Sequence, residues 1–352
     1  MSTKESNRLL AEKFAENWYF GLREKANSGE LVAEKNFKEA AKQYLREYET
    51  ITEGSRNPIY VRGNRRRLEN YLIPFFGEKG ISKITAGLIQ EYRIFRQTNS
   101  VKRYRHKAVP TTRPARNTLH QEIVTLRQVL KTALRHGWLG HLPDLSAPYK
   151  TSEKISHRAW FSRKEYKLFY EATRERVKNP RQRRYKKDYA NFHDFVLFMA
   201  NTGLRPDEAY RLQYRDVSVI EDKDSGETIL LIEVRGKRGI GYCKSTPNAV
   251  RPFARLRERN AAKPSDVIFL KRQTTLLNTI LDELDLKFDR DGNPRTAYSL
   301  RHTYICFRLM EGADIYQVAK NCRTSVEMIE TYYATHISTQ LNAAAINVRK
   351  SA

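Results

Sequence analysis

The stretch Asn201–Val217 reads NTGLRPDEAYRLQYRDV. A helix ends at Thr202-Gly203, Glu208 and Leu212 continue the next one, and Arg205 stands in the break between them. Two shorter stretches downstream share its mixture of helix signals and basic or hydroxylated side chains. Tyr298–Thr303 reads YSLRHT, with Arg301 opening a helix, and Asn321–Tyr333 reads NCRTSVEMIETYY, closing on two tyrosines. Other helical segments lie near Thr275–Leu284, Ser299–Glu311, Ile315–Lys320 and Ser325–His336. Between the first and second stretches the pattern changes. Thr228–Val234 (TILLIEV) predicts a strand, GKRGIG a turn, and the residues from Tyr242 onward a return strand.

Upstream, the chain is helical. Phe37, Ala40, Ala41, Tyr44 and Leu45 recur at helical spacing, and a second helix runs near Asn57–Phe75 to the Pro74/Gly77 punctuation. A third lies near Thr85–Arg96, before a loop over Gln97–Arg116. Ile123, Leu126, Val129, Leu130 and Ala133 make one apolar stripe that stops at Gly137. The expected organisation is a helical extension over 1–36 with a Gly-containing turn, a bundle over 37–142, a linker over 143–155 and a second domain over 156–352. The fold class is mainly α with a small antiparallel β-sheet, an α+β arrangement.

Composition bounds the function. The 352 residues carry 65 Lys and Arg against 40 Asp and Glu, a formal charge of +25. The excess is local: residues 51–200 hold 32 basic against 12 acidic side chains, whereas 201–352 hold 24 against 19. The densest clusters are RGNRRR (Arg62–Arg67), KRYRHK (Lys102–Lys107) and RQRRYKK (Arg181–Lys187). Lys and Arg displace condensed counterions from nucleic acid, so a polyphosphate partner is expected. Arg65, Arg66, Arg67, Lys102, Arg103, Arg105, Lys107, Arg183 and Arg184 are its candidate contacts. A mean hydropathy of −0.70, with no long apolar run, argues against a membrane protein. The N-terminal residues show no apolar targeting core, and three scattered cysteines fit a reducing cytoplasm rather than a disulfide framework. No histidine stands with a second His or Cys at zinc-ligand spacing.

The three stretches, in this order and spacing, resemble the signature blocks of the tyrosine recombinases, the phage integrase family. With their flanks they span residues 156–336. The upstream bundle sits where that family keeps its DNA-clamping, core-binding domain. The resemblance implies a catalytic set of Arg205, Lys237, Tyr298, Arg301, Thr324 and Tyr333, supported by Glu208 and His302. Two guanidinium forks would hold one phosphodiester and neutralise the charge of a pentacoordinate transition state, a task for which lysine lacks the planar fork. Tyr333, nine residues after Thr324, would attack the phosphate. A phenol with a pKa of about 10 needs neighbouring positive charge to do so. Tyr332 is its competitor. Lys237, in the turn of the hairpin, would protonate the leaving 5′-oxygen, with Arg235, Arg238 and Lys244 as alternatives.

Two positions depart from the family pattern. Tyr298 stands where it usually has His, and Thr324 where it usually has His or Trp. Neither hydroxyl titrates near neutral pH as imidazole does, so proton transfer at Tyr333 would rely on His302, water or the arginines. The activity implied is site-specific recombination through a 3′-phosphotyrosine, integrating or excising a mobile element without metal or nucleotide cofactor. The implied partners are double-stranded DNA, three further copies of the chain on two duplexes, and DNA-bending or directionality factors. The residues after Tyr333 would dock on a neighbouring protomer. A type IB topoisomerase and a catalytically silent DNA-binding protein of integrase descent are the rival readings.

Overall fold

The computed structural model describes residues 7–27, 34–99, 102–104, 107–109, 113–147, 149, 158–236 and 239–337. Its contacts divide the chain into two units, Met1–Thr151 and Ser152–Ala352.

In the first unit, helix α1 (Arg8–Asn27) precedes α2 (Phe37–Ile51), which starts at a capping box of Asn36 and Glu39. Helix α3 (Pro58–Arg67) leads on through Pro74 as far as Gly77, in line with the sequence reading. It passes through a π-helical turn, Leu68–Leu72, into α4 (Ile73–Phe76), where the proline occupies the first turn. There its missing N–H costs little, because the wider turn comes before it. Helix α5 (Ala86–Thr98) is followed by a two-stranded ribbon, β1 (Lys102–Tyr104) and β2 (Lys107–Val109), within the segment expected as a loop. Helix α6 (Arg116–Arg135) puts Ile123, Leu126, Val129, Leu130 and Ala133 into the core with Phe37, Leu72, Phe76 and Tyr92. Each of the Ile, Leu, Val and Phe side chains among them contributes about 1.5–3 kcal/mol by leaving water. One charge pair lies inside this core: Glu122 accepts from Arg96 at 2.9 and 2.7 Å and from the Tyr92 hydroxyl at 2.7 Å.

The second unit runs α7 (Arg163–Lys178), α8 (Lys186–Thr202), the short α9 (Pro206–Ala209), a sheet, then α10 (Val250–Arg259) and α11 (Thr274–Glu283). It closes with α12 (Ala297–Met310), α13 (Ile315–Asn321) and α14 (Val326–Ile337). The sheet is antiparallel, in the order β3 (Val217–Glu221), β4 (Thr228–Gly236), β5 (Gly239–Lys244). Strand β3 has no counterpart in the sequence reading. The β4–β5 hairpin does, and its register sets Glu233 opposite Tyr242. Phe169, Val196, Phe198, Leu230, Ile232, Leu256 and Leu281, from α7, α8, β4, α10 and α11, share one apolar core. A smaller apolar cluster of Tyr304, Ile305, Val318, Ile329 and Tyr333 packs α12, α13 and α14 together.

Candidate active site

The site forms where three helix ends meet. Helix α8 stops at Gly203, whose φ of +64° lies in the left-handed region that favours glycine. A β-carbon there would fall 2.4 Å from the Tyr304 ring, so the turn needs glycine twice over. The Gly203 carbonyl accepts a hydrogen bond from Arg301 at 2.6 Å, and the Cys322 carbonyl accepts a second, also at 2.6 Å. Arg301, in the first half of α12, is 4 % exposed, and no carboxylate pairs with it among the described residues. Carbonyls orient a guanidinium but leave its charge uncompensated, which is costly unless an anion arrives.

Arg205, at the N-cap of α9, lies beside it. It donates to Glu208 at 2.9 Å and to the Arg323 carbonyl at 2.7 Å. Glu208 is 6 % exposed and also faces Arg323 at 3.5 Å. Arg205 and Arg323 thus share a single carboxylate while Arg301 pairs with none among the described residues, and the surplus positive charge points to a ligand with negative charge.

The Tyr333 ring packs against α12, 7 % exposed, and its hydroxyl is hydrogen-bonded to Nδ1 of His302. Burial pushes the Tyr333 phenol above its ordinary range, although Arg301 pulls the other way. Burial, then the charges of Arg301 and Arg158, push His302 down to about 3. The imidazole is therefore neutral at physiological pH, and a ring nitrogen without a proton can accept the phenol's hydrogen bond. Tyr298, at the start of α12, is 40 % exposed with its ring centroid 5.3 Å from that of His302.

Arg205, Tyr298, Arg301, His302, Thr324, Tyr332 and Tyr333 line one cleft of about 640 Å³, whose wall includes Arg158. Lys237 and Arg238 lie outside the described residues, as does Arg105. Of the other hairpin cations, Arg235 pairs with Glu233 at 2.9 Å and Lys244 with Asp222. In the basic clusters, Arg65 is held by Glu49 at 2.7 Å, and Arg67 donates to Asn64 at 2.8 Å. Arg66, Arg183 and Arg184 are exposed. The ribbon side chains of Lys102, Arg103 and Lys107 are not described.

Sequence reasoning missed Arg158 and Arg323. Arg158 lies with its guanidinium 4.4 Å from the centroid of the Tyr332 ring, which occupies the competing tyrosine. Arg323 has a φ of +53°, where a sequence signal would be glycine or asparagine. Among the described residues, no cluster of His, Cys, Asp and Glu is placed to hold a metal ion, and no helix is long and apolar enough to cross a membrane.

No family model matches the sequence, and no curated protein matches it. The solved structures do. The chain has the tyrosine recombinase (integrase) fold. It is similar to the XerH site-specific recombinase bound to a palindromic difH substrate in a post-cleavage complex. That likeness has 13% identity and a TM-score of 0.61, covering 89% of this chain and 97% of that one. It is also similar to the Tn1549 transposon integrase in complex with transposon right end DNA, at 11% identity and TM-score 0.59, over 87% and 98% of the two chains. A lambda integrase dimer bound to a COC′ core site gives 11% identity and TM-score 0.54, over 88% and 98%.

Proposed function

We propose that the chain is a site-specific DNA recombinase that cuts and rejoins duplex DNA through a 3′-phosphotyrosine on Tyr333. The observation that carries this reading is Arg301: buried, oriented by two carbonyls, without a carboxylate, and in one cleft with Arg205 and Tyr333. In this reading Arg205 and Arg301 grip the two non-bridging oxygens of the scissile phosphate. The Tyr333 oxygen forms a bond to phosphorus as the bond to the 5′-oxygen breaks. The phenol's proton passes to His302, already hydrogen-bonded to it. Burial is the main reason that His302 is neutral, and the incoming phosphate offsets the smaller share due to the two arginine charges, raising its basicity at the moment it is needed. His302 thereby takes the work that Tyr298 and Thr324 are chemically unfit for, and those two hydroxyls hydrogen-bond the phosphate. Lys237 supplies the proton to the 5′-oxygen. Rejoining reverses each step, so the phosphodiester energy is retained and no nucleotide is consumed.

The basic first unit supplies affinity for the DNA backbone through exposed cations such as Arg66. Four protomers on two duplexes exchange strands in pairs, which serves a mobile element entering or leaving a chromosome. The test is a duplex nicked next to the scissile phosphate, in a sequence that the wild-type protein enriches from a random library. Wild-type protein accumulates a covalent adduct on it, and Tyr333→Phe forms none while binding the duplex within about threefold of wild type. Failure of the wild-type protein to form any adduct rejects the enzyme reading in favour of a silent DNA-binding protein.

A further inference from the structure

Three consecutive residues, the last of α13 and the two that follow it, each hold a different part of the site. The Asn321 amide pairs with both backbone groups of Lys244, its Oδ1 accepting at 2.8 Å and its Nδ2 donating at 3.0 Å. The carbonyl of Cys322 holds Arg301. The carbonyl of Arg323 holds Arg205, while its guanidinium reaches the opposite way and donates to the carbonyls of Val234 at 3.1 Å and Gly239 at 2.9 Å. Val234 is on β4 and Gly239 on β5, so one side chain ties both strands of the hairpin. Strand β5 is the sheet edge, and an open edge leaves backbone groups without partners. Asn321 and Arg323 satisfy some of them.

The arrangement is held against a cost. A left-handed φ is unfavourable by about 1–2 kcal/mol for a residue with a β-carbon. Strain of this kind persists where the surroundings over-determine it, and it collects at functional sites. Arg323 is over-determined: its carbonyl, its guanidinium and its proximity to Glu208 all fix it. The hairpin has made room for it as well. A β-carbon on Gly241 would lie 3.0 Å from the Arg323 Nε.

We propose that Arg323 is a positioning residue that straps the β4–β5 hairpin to the arginine pair, so that hairpin and phosphate grip keep one fixed geometry. It touches no reacting atom; it acts through Val234, Gly239 and the carbonyl under Arg205. This inference rests on the recombinase reading for its catalytic consequence, and on the free protein alone for the strap itself.

Two variants separate the possibilities. Arg323→Gly removes the strap and relieves the backbone. Gly241→Ala leaves Arg323 in place but crowds its Nε, so the guanidinium must shift by a few tenths of an ångström. In the free protein, backbone amides of Ile240–Cys243 exchange at least about tenfold faster in Arg323→Gly and faster by a smaller factor in Gly241→Ala, with the slow-exchanging amides of α8 unchanged. On the duplex that wild-type protein cleaves, Arg323→Gly loses about 100-fold in cleavage rate, the size expected for misplacement near 1 Å, Gly241→Ala loses less, and both keep wild-type affinity. A duplex with sulfur in place of the bridging 5′-oxygen, a leaving group that needs no proton, restores most of the rate. That recovery is something a general loss of stability would not produce. Unchanged exchange at β5 overturns the strap. Equal losses on oxygen and sulfur substrates overturn the hairpin as its target. Failure of the recombinase reading would show instead in wild-type protein, as cleavage of neither substrate, and would take the catalytic role of Arg323 with it.

Discussion

Arg96 in the first unit and Arg301 in the second are buried almost equally, at 6 % and 4 % exposure. Their partners differ. Arg96 meets Glu122 through two hydrogen bonds and lies on the Tyr71 ring at 4.1 Å from its centroid, so its charge is answered within the core. Among the described residues, Arg301 donates to the carbonyls of Gly203 and Cys322 and pairs with no carboxylate. Burial alone therefore says little about an arginine's role. A buried guanidinium with a carboxylate is part of the packing, whereas one without is prepared for an anion that arrives later. Arg295 makes the same point inside the second unit, since at 3 % exposure it pairs with Glu165 at 2.7 Å.

The contrast is sharpest in paired substitutions. Arg301→Ala lowers the cleavage rate at least ~10²–10³-fold, the loss typical of one transition-state donor, while the melting temperature stays near wild type or rises. Arg96→Ala does the opposite. It leaves Glu122 buried and unpaired and costs about 3–5 kcal/mol of stability in the first unit, with the chemistry on pre-bound DNA little changed. Denaturant titration beside single-turnover cleavage reads both, and equal stability losses for the two would dissolve the distinction.

Gly203→Ala is intermediate. Left-handed strain together with the contact on the Tyr304 ring costs about 2–4 kcal/mol, and the carbonyl that orients Arg301 moves with it. Loss of cleavage at temperatures where the second unit is still folded is the expected outcome. An alanine variant as stable and as active as wild type would contradict the account of this turn.

The smallest effect is in pH. His302 titrates near 3 in the folded unit against 6.5 unfolded, so between those values the unfolded chain binds the proton that the folded one refuses. Stability is therefore complete above about pH 6.5 and declines as the pH falls, by up to about 1.4 kcal/mol per pH unit. His193, lowered to about 4 by burial, adds to the loss in the same unit. In the first unit, His120, His136 and His141 are exposed. Hydrogen exchange at pH 7 and pH 5 separates the units, and His302→Gln flattens the second unit's response. A matching loss in both units would place its origin elsewhere.

Much of this was legible in the sequence because it is local. The α6 stripe, the hairpin and the helices that carry Arg205, Arg301 and Tyr333 follow from periodicity, turn residues and block spacing. What was not legible depends on contacts far along the chain. Strand β3 is five residues long, without strict alternation, and gains its place only by pairing with β4. The π-helical turn before Pro74 and the ribbon after α5 carry no periodic signal. The hydrogen bond from Tyr333 to His302 requires α14 to pack on α12. Arg323 was hidden for a sharper reason: a left-handed turn is read from glycine, and here an arginine holds that conformation through its own hydrogen bonds.

The central claim is that the anion awaited by Arg301 is a DNA phosphate attacked by the neighbouring tyrosine. It is tested most directly by trapping the protein on a nicked duplex, digesting the DNA and mapping the modified peptide by tandem mass spectrometry. The account predicts a nucleotide joined through its 3′-phosphate to Tyr333, lost in both Tyr333→Phe and Arg301→Ala. A modified Tyr332, or no modified tyrosine at all, would contradict it.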